Sequence, residues 1–507
     1  MRTSRFLRRF AWLGFFLVLP ALPAAGQPAT VVATGLQAPM KVQLTPLGNL
    51  LVLEGGTGPN TGRISIVTRD GSRRTLVDGL PSGINTDGGP PGAPIGPTGI
   101  QISGDILYVT IGSGDEAIVG GGTVTPNPNA SSPILSSLLK LRLGSVDSSA
   151  GDFHLVPAQH ATLKAGNEVA LQNGHGETLR ISLVVDFPDV VEGNRSGSNP
   201  FGVVAFGNRL YVVDAAYNQI QNVDPATGTY TTLVTFPRFT NPLAPMGPPT
   251  IDPVPDSLRV SNGQFLVSFL TGFPFPPGSA SVVSVDPSTG MSQTVISGLT
   301  SAIDALAPTV PPIAPVPPPK YLVLEFSTNM TSNAPGRLLF FDSATATPTV
   351  LASPLITPTN MALDSQTREV FITEFGPGRL SRVSVASVIV PLPCTPDAFG
   401  LCLNGGRYHV RTAFRTPQGV TANGVAIALS DTSGYFWFFS PDNVEVTVKV
   451  VDGCSFNSRR WVFAAGMTNV EVSMTVTDTV TGVSRTYTNP GGTPFAPIQD
   501  VAAFLCP

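Results

Sequence analysis

The chain is poor in charge, in lysine and in histidine, and each shortage removes a class of function. Only 12% of its 507 residues are charged, about half the usual share, so a charge-rich disordered chain is excluded. Lysine supplies five of the 29 basic residues, and no basic run follows the N-terminus. A nucleic-acid binder would show a basic stripe. The four histidines, His154, His160, His175 and His409, leave little for acid–base work. No G-x-S-x-G elbow, H-E-x-x-H pair, P-loop or dinucleotide fingerprint occurs. Beyond residue 26 no apolar run is long enough to span a bilayer.

The first 26 residues read as an export signal. Arg2, Arg5, Arg8 and Arg9 precede an apolar stretch at 11–22, and Ala24, Ala25 and Gly26 supply small residues for cleavage. The expected mature chain is secreted or periplasmic, with 25 basic residues against 33 acidic. Cysteine is absent until Cys394; Cys402, Cys454 and Cys506 follow. An oxidising compartment favours disulfides. Four cysteines allow three connectivities, of which we favour Cys394–Cys402 with Cys454–Cys506. No C-x-x-C pair exists to hold zinc.

What the chain has in plenty is glycine and proline, 52 and 50 residues, and a repeat that they punctuate. Hairpins with Asp-Gly or Asp-Pro-x-Thr-Gly turns stand at 63–80, 219–236 and 281–299, with a worn copy at 337–355. Before each such hairpin stands another, whose second strand is apolar and often ends in an acid. Its copies are LLVLEGG, ILYVTIGSGD, RLYVVDAAYN, QFLVSFLTG, KYLVLEFSTN and EVFITEFGPG. Six units of four short strands predict a six-bladed β-propeller over 27–388. The second unit carries an insertion around 144–178. Residues 30–36 match a fourth strand without its first three, and the last unit lacks a fourth. The N-terminal strand should therefore complete the last blade and hide two sheet edges.

The pattern changes at 394, after a linker at 389–393. Seven short strands at about ten-residue spacing predict a small antiparallel β-sandwich over 394–507. Tyr435, Phe436, Trp437, Phe438 and Phe439 form an unbroken aromatic run, whose alternate members should face the core.

With these segments placed, the propeller resembles the secreted ScyD/ScyE family. The resemblance is carried by SNPFGVVAFGNRLYVVDAAYNQIQNVDPATG at 198–228, by FLTGFPFPPGSASVVSVDPSTG at 269–290, and by the opening VVATGLQAPMKVQLTPLGNLLVLEGGTG. It covers about 30–388. It implies an exported, NHL-like six-bladed propeller with no established catalytic residues. The insertion at 144–178 and the Pro-rich stretch at 307–319 depart from the family. The C-terminal module is similar to a sandwich appended to many secreted bacterial proteins, through CLNGGRYHV, GYFWFFSPDNVEVTVKVVDGC and TYTNP. That likeness implies an accessory role.

The candidate site is acidic. Glu54, Asp214, Glu325 and Glu374 end the second strand of four units, on the face carrying the inter-blade loops. Four carboxylates around one pore offer the oxygens that Ca2+ wants, with Asn199 adding an amide. The same acids equally suit backbone caps in their own turns. Phe273 and Phe275, in LTGFPFPPG on that face, are either a packed plug or a ligand wall. His154 and His160, with Asp152, offer a weaker metal set. Two functions stand beside each other: a non-catalytic exported binding or scaffold protein, or a Ca2+-dependent hydrolase, lactonase or lyase using the pore. A quinone-dependent sugar oxidase lacks the basic and histidine groups it needs. The expected partner is a small molecule, a glycan or an envelope protein, with no nucleic acid.

Overall fold

The computed structural model describes residues 26–506 apart from 46–47, 86–91, 121–122, 190–196, 309–318, 365–366, 389–393 and 480–482. The export-type segment before residue 26, most of the Pro-rich 307–319 stretch and the linker thus lie outside the described residues.

The chain is all-β: a six-bladed propeller followed by an antiparallel sandwich. Each blade is built on four antiparallel strands, laid down from the axis outward. The inner strands are Pro39–Leu44, Pro97–Ser103, Pro200–Phe206, Pro255–Ser261, Ala302–Leu306 and Pro358–Asp364. Each packs against the next, and the sixth packs against the first, so the ring is closed. Thr30–Thr34 pairs antiparallel with Arg379–Ser384 and supplies the outer strand of the last blade. The N-terminal closure expected from the repeat is met.

The second strands are mostly apolar before their ends because each blade is covered on both faces by its neighbours. Leu50, Leu51, Val52 and Leu53 are all fully buried, as befits strands between two layers. Outer strands are wetter: Tyr230–Thr235 has no buried residue. Every inner strand carries a register shift just after its first residue, as between Pro39 and Lys41 or Ala302 and Asp304. Five of the six begin with proline, which suits a strand end with no donor to offer.

The insertion in blade two is a strap. Phe153–His154 pairs parallel with Val77 and Asp78 at the rim of blade one, and Val169–Gln172 adds a fifth strand to blade two. The helix Pro157–Lys164 lies between them in sequence. Gly79 permits the first junction: its φ is +71°, and a Cβ there would lie 1.9 Å from the Leu155 carbonyl oxygen. His160 is fully buried, with Nδ1 3.0 Å from Ser132 Oγ and Nε2 2.9 Å from the Gly79 carbonyl. Burial lowers its pKa, although the Gly79 bond opposes this. It is a packing histidine. His154 Nδ1 turns away to Asp78.

The C-terminal module has two five-stranded sheets, with more strands than the seven expected. Phe436 and Phe438 are buried and Phe439 is 56% exposed, so the aromatic run alternates as its strand geometry requires. Both expected disulfides are formed, Cys394–Cys402 and Cys454–Cys506.

Closure and cross-linking are both open to test. Deleting residues 27–36 strips the last blade of its outer strand and leaves an unpaired edge; the protein should then aggregate in size-exclusion chromatography. Replacing Cys454 and Cys506 by serine opens a loop of 52 residues, which should cost the module about 4 kcal/mol. Opening the 8-residue loop of Cys394–Cys402 should cost about 2.5 kcal/mol. Both tryptophans beyond residue 26, Trp437 and Trp461, lie in the module, so its denaturant unfolding is read by their fluorescence.

Candidate functional site

The four acids hold the loops together. In every blade the residue after the second strand donates its N–H to the residue before the inner strand: Gly55 to Ala38, Gly112 to Gly96, Ala215 to Asn199, Leu270 to Val254, Phe326 to Ser301 and Phe375 to Thr357. The acid next door completes this clamp. Glu54 accepts from Gln37 N, Arg63 and Ser65. Glu374 accepts from Ile356 N, Arg379 and Ser381. Glu325 accepts from Thr300 N and Arg337. Asp214 accepts from Ser198 Oγ and from the backbone of Asn199, Ala216 and Tyr217. Burial raises the Asp214 pKa against those bonds. Glu54, Glu325 and Glu374 have no exposed surface.

The expected cation site at the pore is therefore corrected. Among the described residues the only trio of His, Cys, Asp or Glu side chains with ligand atoms within 4.8 Å is Asp452, Cys454 and Cys506, and its sulfurs form a disulfide. The carboxylates do not converge, and their oxygens are taken by local donors. Asn199 ties blades two and three, its Oδ1 accepting from Ser113 N at 3.1 Å. Phe273 is 55% exposed, with its ring 6.0 Å from that of Phe275. Neither ring lines the central cavity.

That cavity is the feature that spacing along the chain did not reveal. It encloses about 260 Å³ among inner-strand residues of blades one, two, three, four and six. Buried Lys41, Val42 and Asn360 line it together with half-buried Gln43, Gln101 and Arg259. Arg259 of blade four reaches blade five, with Nε 3.1 Å and Nη2 2.5 Å from the Asp304 carboxylate, and also donates to the Met361 carbonyl. Asp304 in turn accepts from Asn360 Nδ2 and Met361 N of blade six. Asn360 Oδ1 accepts from Val42 N of blade one at 3.1 Å. Gln101 Oε1 accepts from Ala205 N, linking blades two and three.

Two inner-strand groups stand outside this network. Lys41 is 9% exposed, and its Nζ lies 5.9 Å from the Phe201 ring centroid with no ion pair or hydrogen bond to any described residue. Burial lowers its pKa to about 8, with Asp304 and Asp256 pulling it back up and Arg259 adding to the fall. Asp256 is 2% exposed, and its Oδ2 has no hydrogen-bond partner among the described residues. Burial pushes its pKa well above the usual carboxylate range, although the Lys41 charge pulls the other way. The sequence signal lay in the inner strands, where PMKVQL, PDSLRV, AIDAL and PTNMAL each interrupt an apolar run with charge or amide.

No protein-family model matches the sequence, and no curated protein does. Several solved structures align with about 70% of the chain. A putative oxidoreductase (glucose dehydrogenase) from Thermus thermophilus is 14% identical over 71% of this chain and 100% of its own, with a TM-score of 0.39. The PQQ-bound aldose sugar dehydrogenase of Streptomyces coelicolor is 14% identical over 72% and 99%, with a TM-score of 0.39. A gluconolactonase of Xanthomonas campestris is 10% identical over 72% and 98%, with a TM-score of 0.35. Assignment of the fold rests on the sheets of this chain.

The clamp and the blade-two loop each give a prediction. Glu374→Ala strands Arg379 and the Ile356 N–H, and should cost about 3 kcal/mol in denaturant unfolding. Glu116, in the loop after the second strand of blade two, is 6% exposed and shares a hydrogen bond with Ser136. Burial, with Asp189 adding, raises its pKa to about 9. The folded state thus holds this proton to higher pH than the unfolded chain does. The stability it confers is full below about pH 4 and is lost as pH rises towards 9. Glu116→Gln should match the wild type near pH 4 and exceed it by about 3 kcal/mol at pH 8.

Proposed function

We propose that this chain is an exported, ScyD/ScyE-like propeller that binds a ligand without turning it over. The observation that carries this reading is the occupation of the four loop-face acids. Each spends its oxygens on the clamp of its own blade, so none is placed to hold a metal or to act as a base on that face. The central cavity, by contrast, is lined by Lys41, which has no ion pair or hydrogen bond among the described residues. Export is supported by the signal-like first 26 residues and by two formed disulfides with no free cysteine among the described residues, a pattern of oxidising compartments. Among the described residues no helix is long and apolar enough to cross a membrane. The sandwich serves as an accessory module in this reading.

The test is thermal unfolding of the mature chain with Ca2+ and with EDTA, beside assays of lactone and sugar-ester hydrolysis. The expected result is one melting temperature in both conditions and no turnover. A rise of several degrees with Ca2+ that disappears in Glu54→Gln/Glu325→Gln, together with hydrolysis, would replace this reading with the metal-dependent hydrolase.

A further inference from the structure

We propose that the central cavity binds a small monoanionic carboxylate with an apolar body, its carboxylate seated on Lys41 and its body against the inner strands. The assignment rests on the reading of the chain as a binding protein and names the class of ligand.

Charge sets the sign of the ligand. Around the cavity stand two cations, Lys41 and Arg259, and one anion committed to them, Asp304, which takes Arg259 in a two-point ion pair. Asp256 is buried nearby but lies outside the lining, which holds no carboxylate of its own. Of the two cations in the lining, Arg259 is paired with Asp304 and Lys41 is not paired. The Lys41 amine is buried with no hydrogen-bond acceptor among the described residues, and the nearby Asp304 and Asp256 charges offset only part of that burial. A carboxylate in the cavity would supply the missing acceptor and the missing charge. Arg259 spends Nε and Nη2 on Asp304 and the Met361 carbonyl, which leaves Nη1 to donate elsewhere. It is thus a second donor at the half-exposed part of the lining.

Shape and polarity set the rest. The 260 Å³ of the cavity is about the space of eight or nine waters. Val42, Leu44, Ile100, Val203, Leu258 and Ala362 give it an aliphatic wall, which faces a polar part of about equal extent. Of the three amides that line it, Gln101 and Asn360 are already bonded to backbone N–H groups of neighbouring blades, and Gln43 is the third. A doubly charged anion such as phosphate would bring one charge too many and no apolar surface. A short hydrocarbon body with a single carboxylate matches the aliphatic part of the wall and the unpaired cation.

The probes are hexanoate, its uncharged analogue hexanamide, and inorganic phosphate, titrated into the mature full-length protein by calorimetry and thermal shift. Hexanoate should bind saturably and raise the melting temperature by several degrees. Hexanamide and phosphate should bind at least tenfold more weakly. Lys41→Met should lose at least tenfold in hexanoate affinity, whereas Lys41→Arg, which keeps the charge, should retain most of it. Burial lowers the Lys41 pKa to about 8, so part of the population is neutral at pH 8.5; the titratable and charged groups facing it are Asp256, Arg259 and Asp304. Hexanoate binding at that pH should therefore take up a proton, seen as a dependence of the heat on buffer ionisation enthalpy. Should Lys41→Met fail to fold, the proton uptake and Lys41→Arg decide the matter. Equal binding of hexanoate and hexanamide, equal binding of phosphate, or an unchanged affinity in Lys41→Met would overturn the assignment. Hydrolysis of lactones or sugar esters would sink the binding reading itself; absence of both turnover and hexanoate binding would sink only the cavity assignment.

Discussion

The free edge of the inner strand is the constraint on which this propeller turns. Each inner strand hydrogen-bonds a neighbour on one side only, because its other edge faces the axis. Six such edges meet there, and backbone groups buried in that position need partners. Side chains supply them. Asn360 takes the Val42 N–H, Asp304 takes that of Met361, and Gln101 takes that of Ala205. The hydroxyls of Thr98 and Thr359 donate to the carbonyls of Pro200 and Pro39, each in the next blade. The polar residues of the channel are thus first a substitute for a missing strand.

Polarity near the axis therefore does not by itself mark a site. Asp304, Arg259 and Asn360 have the composition of a catalytic cluster, yet their hydrogen-bonding capacity is spent mainly on bracing four blades. The informative residues are those with no such duty. Lys41 and Asp256 are buried at a cost that their mutual attraction and the Asp304 charge recover only in part, and Lys41 alone of the two lines the cavity. The same reasoning separates Glu54 and its equivalents from a metal centre, since their oxygens already accept from the loops they brace.

The architecture was legible because a propeller repeats itself. Apolar second strands, Asp-Gly turns and an orphan strand at 30–36 gave six blades and their closure from spacing alone. The acids at the strand ends were equally visible, but their direction was not. A carboxylate one position from a turn can point to the axis or fold back on its own loop, and only the arginine opposite it in register decides. Arg63, Arg337 and Arg379 stand directly across from Glu54, Glu325 and Glu374, a pairing that spacing along the chain does not announce. Lys41 was hidden for a different reason: a single lysine in a short strand is ordinary until six strands are brought round one axis.

The seam between Thr30–Thr34 and Arg379–Ser384 has a temporal meaning as well as a structural one. Its partners stand at opposite ends of the propeller sequence, and no shorter piece of the chain contains both. The ring stays open until the last blade has been made, and closure is a late, non-local event of the kind that slows folding. Such a chain remains threadable until that far strand emerges, and the strand made first is the one that locks the circle last.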